Sequence, residues 1–370
     1  MAGILAFATL LSKYWAFYNT PSKDEDGRFE SLDGLRGILA FGVFFQHAVT
    51  NLTYYTTGTW QITEFKLYRF LGGEAVILFF MITSFLYWYK AIAKKGDLDA
   101  YSLYKNRIYR LAPMYLFSAA LIVIFALFET GFRIGDPIQL IRDMFSWLSL
   151  GIITTTSVNG LSIIPINAGI HWTLHFEWVL YIVLPFVAIV LRDRKMNLLA
   201  IPILAILALS PDKGYWMIFL FGIASAHILA KYPKQDWVKK PWVSLLPILG
   251  LILVYMIDYK PYGILQYCIT FFIFLFFLYG NTIWGLLKTR AAKFLGTISY
   301  SIYLLHGIVL YLVLKAVNVF HPIANLSTFS FWSIMFVSAL LIVVLSGFTY
   351  KYIEYPFLKK YRAKLSDKVM

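Results

Sequence analysis

Long apolar runs separated by short, mostly basic polar segments dominate the chain. Ten runs are candidates for membrane-spanning helices, because a helix of about 20 apolar residues crosses a hydrocarbon core of about 30 Å. They cover residues 38–55, 73–89, 111–128, 172–191, 198–211, 215–230, 242–257, 262–287, 294–314 and 329–350. The pattern predicts an all-α fold, a polytopic transmembrane helix bundle of about ten spanning helices.

The basic residues favour one side of this bundle. If successive loops alternate between the two sides, six polar segments share one side, and they hold 26 of the 33 Lys and Arg residues. These segments are 1–37, 90–110, 192–197, 231–241, 288–293 and 351–370. By the positive-inside rule this side is cytoplasmic, so we expect an integral membrane protein with both termini in the cytoplasm.

Segment 144–166 departs from the alternation. It is apolar in its first half, yet it must begin and end on the outer side, so it is predicted to be re-entrant or interfacial. Residues 1–30 are predicted to form a cytoplasmic or interfacial N-terminal segment, and 351–370 a basic cytoplasmic tail. With no long linker, residues 1–370 are expected to form a single domain.

Composition narrows the class of protein. The 370 residues are 60% hydrophobic and only 14% charged, with a mean hydropathy of +0.69. A soluble core fits these values poorly. The formal net charge of +14 comes from residues that punctuate the apolar runs, which argues against nucleic acid as a partner and favours the lipid bilayer. The single Cys268 can close no intrachain disulfide.

Two ionisable residues lie within or beside the first run. Arg36 and His47 are eleven residues apart, which returns a helix to nearly the same face about 16 Å further along. Ionisable groups within a membrane are costly and usually functional. The sequence therefore predicts a functional site on this face, with His47 near the middle of the bilayer.

Five short motifs that contain the polar residues follow one another along the chain. They are Leu32-Asp-Gly-Leu-Arg-Gly37 followed by His47, Arg107-Ile-Tyr-Arg110-Leu-Ala-Pro113-Met-Tyr115, Trp172-Thr-Leu-His-Phe-Glu177, Ile298-Ser-Tyr-Ser-Ile-Tyr303-Leu-Leu-His306 and Glu354-Tyr-Pro356. In this order they resemble the motifs of the acyltransferase-3 family. The resemblance implies a multi-pass membrane O-acyltransferase that moves an acyl group, usually acetyl from acetyl-CoA, to a hydroxyl of a surface or exported glycan. It also implies a bacterial inner membrane.

The chain departs from the family pattern in the second helix and at three single positions. The usual glycines of the second helix are missing around Ala75–Phe80 and Thr83, and Thr83 supplies the hydroxyl there. Asn106 replaces an arginine, His175 replaces a small residue, and Trp178 follows Glu177 where a second acid is usual.

The resemblance suggests a role for each candidate residue. His47 is expected to be a general base or a covalent acyl carrier, and the sequence does not separate these alternatives. Glu177 and His306 are further catalytic candidates. The donor, acetyl-CoA, is expected to bind to five residues, whose arginines can form bidentate hydrogen bonds with its phosphates. These residues are Arg36, Arg107, Arg110, Thr83 and Tyr303. The alternative is that these arginines only fix the orientation of the helices in the membrane and bind no ligand.

The carbohydrate acceptor is expected on the outer side, near His175 and Trp172. His171 and His175 have metal-ligand spacing, but with no third ligand we expect no metal. Glu354 is expected to anchor a basic partner, and Pro356 to end the last helix.

Two rival functions stay open at this stage. A secondary transporter would share the helix count and the midplane ionisable groups, although no paired broken helices are visible. A membrane acyltransferase acting on a lipid or a protein would share the thioester chemistry. Nothing in the sequence indicates the oligomeric state.

Overall fold

A computed structural model describes residues 1–15, 29–192, 212–233, 235–257 and 263–361. It is an almost entirely helical bundle, which confirms the all-α polytopic prediction. The α-helices, in chain order, are α1 (Ala2–Tyr14), α2 (Glu30–Thr57), α3 (Lys66–Ala93), α4 (Ala100–Glu129), α5 (Pro137–Leu148), α6 (Ile164–Asn167), α7 (Trp172–Arg192), α8 (Lys213–Lys231), α9 (Leu245–Met256), α10 (Ile264–Leu278), α11 (Arg290–Thr297), α12 (Ser299–Phe320) and α13 (Thr328–Thr349). Strands β1 (Ser157–Val158) and β2 (Leu161–Ser162) form a small antiparallel hairpin.

Six helices in the described ranges are long and apolar enough to cross a membrane. They are α3, α4, α7, α8, α12 and α13 with its continuation to Tyr361. Helix α2 has 28 residues but is more polar, and α9 and α10 have only 12 and 15 residues. The predicted run 198–211 lies outside the described residues. The predicted count of about ten spanning helices is therefore not confirmed.

The predicted helix over 262–287 ends early, at Leu278. Gly280 follows with a φ of +90°, a conformation suited to glycine. The Asn281 side chain then donates to the Val238 carbonyl at 2.8 Å and accepts from the backbone N–H of Ile283 at 3.0 Å. The chain turns here because this buried amide satisfies backbone groups of two irregular segments.

The predicted helix over 294–314 is divided in two by Ile298, which lies between α11 and α12. The reason is a close helix crossing. An added Cβ on Gly296 of α11 would lie 1.8 Å from the Asp33 carbonyl oxygen of α2. An added Cβ on Gly34 of α2 would lie 1.9 Å from the carbonyl oxygen of Leu287, just before α11. Small residues let backbones approach this closely, and α11 takes its own direction to make the crossing.

The end of α13 corrects the prediction for Pro356. A π-helical turn, Tyr350–Glu354, joins α13 to further helix that runs through Pro356 to Tyr361. Proline clashes with the carbonyl four residues earlier, and a π-turn is a common way to relieve that conflict. Pro356 therefore continues the helix instead of ending it.

Segment 144–166 forms no spanning helix. Helix α5 keeps Trp147 and Asp143 buried while Ile141 and Phe145 are exposed, as expected of a helix at an interface. Helix α6 then lies against the middle of α12, where the Asn167 backbone would meet a Cβ on Gly307 at 2.4 Å. The chain thus enters the bundle before α7 begins.

Candidate functional site

A cavity of about 190 Å³ lies between α2, α3, α4, α7 and α12. We call the end of the bundle that contains its arginines the arginine end. Its polar wall comprises Arg36, Arg107, Arg110, Lys90, Thr83, Glu177, Thr173, Ser299 and the tyrosines 87, 181, 300 and 303. Phe79, Phe80 and Leu86 are among its apolar residues. The structure therefore brings together all five predicted donor-site residues, although they come from four separate helices.

The three arginines lie in this cavity without close carboxylate partners. Across the described ranges, none of Arg36, Arg107 and Arg110 forms an ion pair within 4.0 Å. Half-buried guanidinium groups without a paired anion are costly, so such a cluster favours an anionic ligand.

Arg107 is oriented by aromatic rings. Its guanidinium carbon lies 4.8 Å from the centre of the Tyr87 ring and 5.5 Å from that of Tyr181. These contacts are within cation–π range. The Nε atom of Arg107 is buried with no hydrogen-bond partner. Two aromatic rings therefore contact this guanidinium, and no carboxylate in the described ranges forms an ion pair with it.

Glu177, a catalytic candidate from the sequence, lines the same cavity as the arginines. The Thr173 hydroxyl is 2.7 Å from the hydroxyl of Tyr303, the fifth residue of α12, so α7 starts partway through the bundle. From there α7 runs towards the arginine end, and Glu177 lies one turn further on. The Tyr181 hydroxyl donates to its carboxylate at 2.7 Å.

His47 and His306 form a buried pair beyond the cavity. The distance from His47 Nδ1 to His306 Nε2 is 2.8 Å, and the ring centres are 5.1 Å apart with planes only 13° apart, so the two rings meet edge to edge. His306 is completely buried, whereas part of His47 is accessible. Tyr303 connects the two regions, because it lines the cavity and its ring lies 5.9 Å from that of His306.

Trp172 and His175 do not line the arginine cavity. The Trp172 ring packs 4.9 Å from Tyr215 and 6.2 Å from Phe80. His175 Nδ1 is 2.7 Å from the Ile152 carbonyl oxygen, to which it donates, and so ties α7 to the segment after α5. Both contacts have a packing role, and a role in acceptor binding stays a prediction.

Neither His171 nor His175 faces a shared ligand position. His171 Nδ1 is 2.7 Å from the side-chain amide of Asn167, while His175 bonds to a backbone carbonyl. Within the described ranges, no group of three or more His, Cys, Asp or Glu side chains is arranged to hold a metal.

Glu354 does not have the basic partner that the sequence predicted. It is 3% exposed and accepts a hydrogen bond from the Ser301 hydroxyl, which in turn accepts from Thr349 at 3.0 Å. No ion pair within 4.0 Å involves Glu354 in the described part of the chain. The hydroxyls of α12 and α13 satisfy this carboxyl group because the π-turn directs it inwards.

Sequence reasoning assigned no site role to the two tyrosines that contact Arg107, although Tyr181 shares a predicted polar face with Glu177. Tyr87 lies four residues after Thr83, and Tyr181 lies four residues after Glu177. Helical spacing put each tyrosine on the same face as a predicted site residue, so a signal existed. Only the packing of α3, α4 and α7 showed that both rings contact the same guanidinium.

Together, the apolar helices and the internal charged cavity define an integral membrane protein with a buried polar site. The particular family follows from sequence comparison. The chain belongs to the acyltransferase-3 family, whose model, described as an acyltransferase domain, matches residues 29–348. The protein is thus a membrane acyltransferase by family. Comparisons with curated proteins and with solved structures found no match.

Proposed function

We propose that the protein transfers an acyl group, most simply acetyl, from acyl-CoA on the cytoplasmic side to a hydroxyl of a surface or exported carbohydrate. The observation that carries the proposal is the cavity with three arginines that ends beside the His47–His306 pair. Membership of an acyltransferase family supports acyl transfer itself. The donor, the acceptor and the role of His47 are our inferences.

The cavity suits coenzyme A because this donor carries several phosphate charges. Guanidinium groups bind phosphate oxygens in a bidentate manner, and Arg107 is already oriented by its stacking. Lys90 also lines the cavity. The nucleotide would bind at the arginine end, and the narrow pantetheine arm would extend past Tyr303 and Phe79 towards His47. In this way only the acyl group needs to reach the middle of the membrane.

His47 is assigned the proton transfer. As a base, it takes the proton of the acceptor hydroxyl while the hydroxyl oxygen attacks the thioester carbonyl carbon. The C–S bond then breaks, and the imidazolium returns the proton to the departing thiolate, which leaves as coenzyme A thiol. As a carrier, a ring nitrogen of His47 would bond to the carbonyl carbon as the C–S bond breaks, and the acceptor hydroxyl would then displace the imidazole while its proton passes to the coenzyme A thiolate. Both routes need one accessible, unprotonated ring nitrogen.

The acceptor is assigned to the other end of α2. Tyr54 and Trp60 lie there with ring centres 5.8 Å apart, an arrangement on which sugar rings can stack. The family resemblance supports a carbohydrate. The basic loops support cytoplasmic termini, and the family resemblance supports a bacterial inner membrane.

The decisive experiment measures acetyl-CoA binding and thioester turnover by the full-length protein in lipid nanodiscs. We expect Arg36→Ala to weaken donor binding, and His47→Ala to abolish turnover while binding persists. The matched controls are Arg142→Ala on α5 and His321→Ala, which are both exposed residues away from the cavity and should behave as wild type. Absence of coenzyme A binding in every variant would contradict the proposal and direct attention to transport assays.

A further inference from the structure

We propose that His306 is a positioning residue that keeps the ring proton of His47 on Nδ1, so that Nε2 of His47 is the reacting nitrogen. The inference rests on the proposed function for its catalytic meaning, but the proton assignment rests on geometry alone. Four atoms in a row establish it: the Ile302 carbonyl oxygen, the two ring nitrogens of His306 and Nδ1 of His47.

The first step concerns His306. Its Nδ1 lies 3.3 Å from the carbonyl oxygen of Ile302, one turn earlier on α12. A carbonyl oxygen only accepts, so Nδ1 of His306 must carry a proton. His306 is completely buried, and no ion pair involves it in the described ranges, so the neutral ring is favoured. Its Nε2 is consequently an unprotonated acceptor.

The second step transfers this constraint to His47. His306 Nε2 and His47 Nδ1 are 2.8 Å apart, which requires one donor and one acceptor. Because His306 Nε2 is the acceptor, His47 Nδ1 is the donor. A neutral imidazole carries one proton, so the lone pair of His47 lies on Nε2. An imidazole without such a partner would exchange between both tautomers.

The third step concerns access. The described residues supply no hydrogen-bond partner for Nε2 of His47, and part of this ring is accessible although His306 is sealed. The Asn51 amide donates to the backbone carbonyl of His47 at 2.9 Å and does not occupy the ring. The basic nitrogen is therefore also the available one.

The arrangement serves either chemical route. When Nε2 takes the acceptor proton, the ring becomes a cation and its Nδ1–H bond to His306 is strengthened by charge. When Nε2 returns that proton to the thiolate, the original tautomer is restored without a rotation of the ring. If Nε2 instead receives the acyl group as the C–S bond breaks, the same Nδ1–H bond stabilises the acyl-imidazolium. His306 contacts neither substrate in these steps.

Two variants separate positioning from packing. His306→Gln places a side-chain oxygen where it can accept from His47 Nδ1, whereas His306→Leu fills similar space without an acceptor. We expect the leucine variant to lose 10²-fold or more in kcat, on the order of one general-base contribution, with acetyl-CoA affinity unchanged. We expect the glutamine variant to recover most of that loss. The exposed His321→Leu is the matched control.

A spectroscopic readout tests the proton assignment independently of activity. Nitrogen-15 NMR of histidine-labelled protein in nanodiscs should show His47 protonated at Nδ1 in the wild type and in His306→Gln, and a mixture of tautomers in His306→Leu. Protonation of wild-type His47 at Nε2, or full activity of His306→Leu, would overturn the inference. If the wild type has no thioester turnover, the proposed function fails, while the NMR result still tests the tautomer.

Discussion

Arg107 shows how single side chains prepare this site. It stacks against Tyr87 and Tyr181, and its Nε has no hydrogen-bond partner. A guanidinium can stack and bind a phosphate at once because it is planar and its donors point outwards in the plane. The ammonium group of lysine is not planar and does not present two parallel N–H donors. Under the proposed function, we therefore expect donor binding to depend on arginine at this position and not merely on positive charge.

Replacing Arg107 by lysine tests this dependence. We expect Arg107→Lys to weaken acetyl-CoA binding about tenfold, equivalent to about 1.4 kcal/mol, although the charge is kept. Titration calorimetry in nanodiscs measures the change. Arg142→Lys on α5 is the control and should bind as the wild type does. Equal affinity in both variants would mean that Arg107 acts only as a charge.

At the level of elements, the crossing of α2 and α11 positions Arg36. Gly37 of α2 and Gly296 of α11 allow the two backbones to touch, and Gly34 of α2 packs against the backbone of Leu287, just before α11. The crossing lies directly beside Arg36 in the sequence of α2. An error of an ångström here would move the guanidinium relative to α3, α4 and α7, which carry the other charged residues of the cavity.

Gly296→Ala should disrupt this crossing. Its new Cβ would lie 1.8 Å from the Asp33 oxygen, and backbone cannot yield as a flexible side chain does. We expect a loss of stability of about 1–3 kcal/mol and weaker donor binding, measured by thermal unfolding and calorimetry. Gly135→Ala is the control, because nothing lies within 4 Å of its Cβ position. Unchanged melting of Gly296→Ala would show that the crossing tolerates separation.

The same pair of helices is joined by Glu30 at the start of α2. The Lys293 ammonium donates to it at 3.1 Å, and Lys288 lies 3.5 Å away. The hydrogen bond from Lys293, followed by the two positive charges, lowers the pKa of the Glu30 carboxyl below its usual 4.5. Folding thus favours its charged form.

This lowered pKa predicts a dependence of stability on pH. The stabilising contribution is present above the ordinary carboxyl pKa and is lost as the pH falls through the lower value of the folded state. Glu30→Gln should melt slightly below the wild type at pH 7, and the difference should disappear in acid. The effect should be small because the pair is half-exposed and screened by salt. A melting difference that is the same at all pH values would contradict the assignment.

For the whole molecule, the arginine cavity and the histidine pair lie in sequence along the bundle. Arg36 and His47 are about 16 Å apart along α2, and Tyr303 contacts both regions. Such an arrangement separates the binding of a charged donor from the position of acyl transfer. Under the proposed function, this separation gives acyl transfer a direction across the membrane.

This direction is testable in sealed proteoliposomes. External acetyl-CoA should be consumed only by molecules whose arginine end faces outwards. Orientation can be measured with a membrane-impermeant thiol reagent on Lys351→Cys in a Cys268→Ser background, because Lys351 is exposed just after α13. Across preparations of different orientation, turnover should rise with the labelled fraction. Turnover that rises with the unlabelled fraction would reverse the proposed donor side.

The sequence by itself determined the helical class, most helix positions and the common face of Arg36 and His47. These features depend on local periodicity, because the helical repeat of 3.6 residues and the length of an apolar run can both be read from consecutive residues. Family motifs also selected the five residues of the predicted donor site, all of which line one cavity. Their assignment to coenzyme A stays a prediction.

Only the tertiary structure decided the depth and contacts of these residues. Glu177 lines the same cavity as the arginines because α7 begins inside the bundle, after the irregular segment that contains α6. His47 meets His306 across 259 positions of sequence. The early end of α10 and the continuation through Pro356 likewise depend on buried amide contacts and a π-turn. Periodicity specifies which face a residue occupies, but long-range packing of small residues and buried polar groups sets which faces meet and at what level.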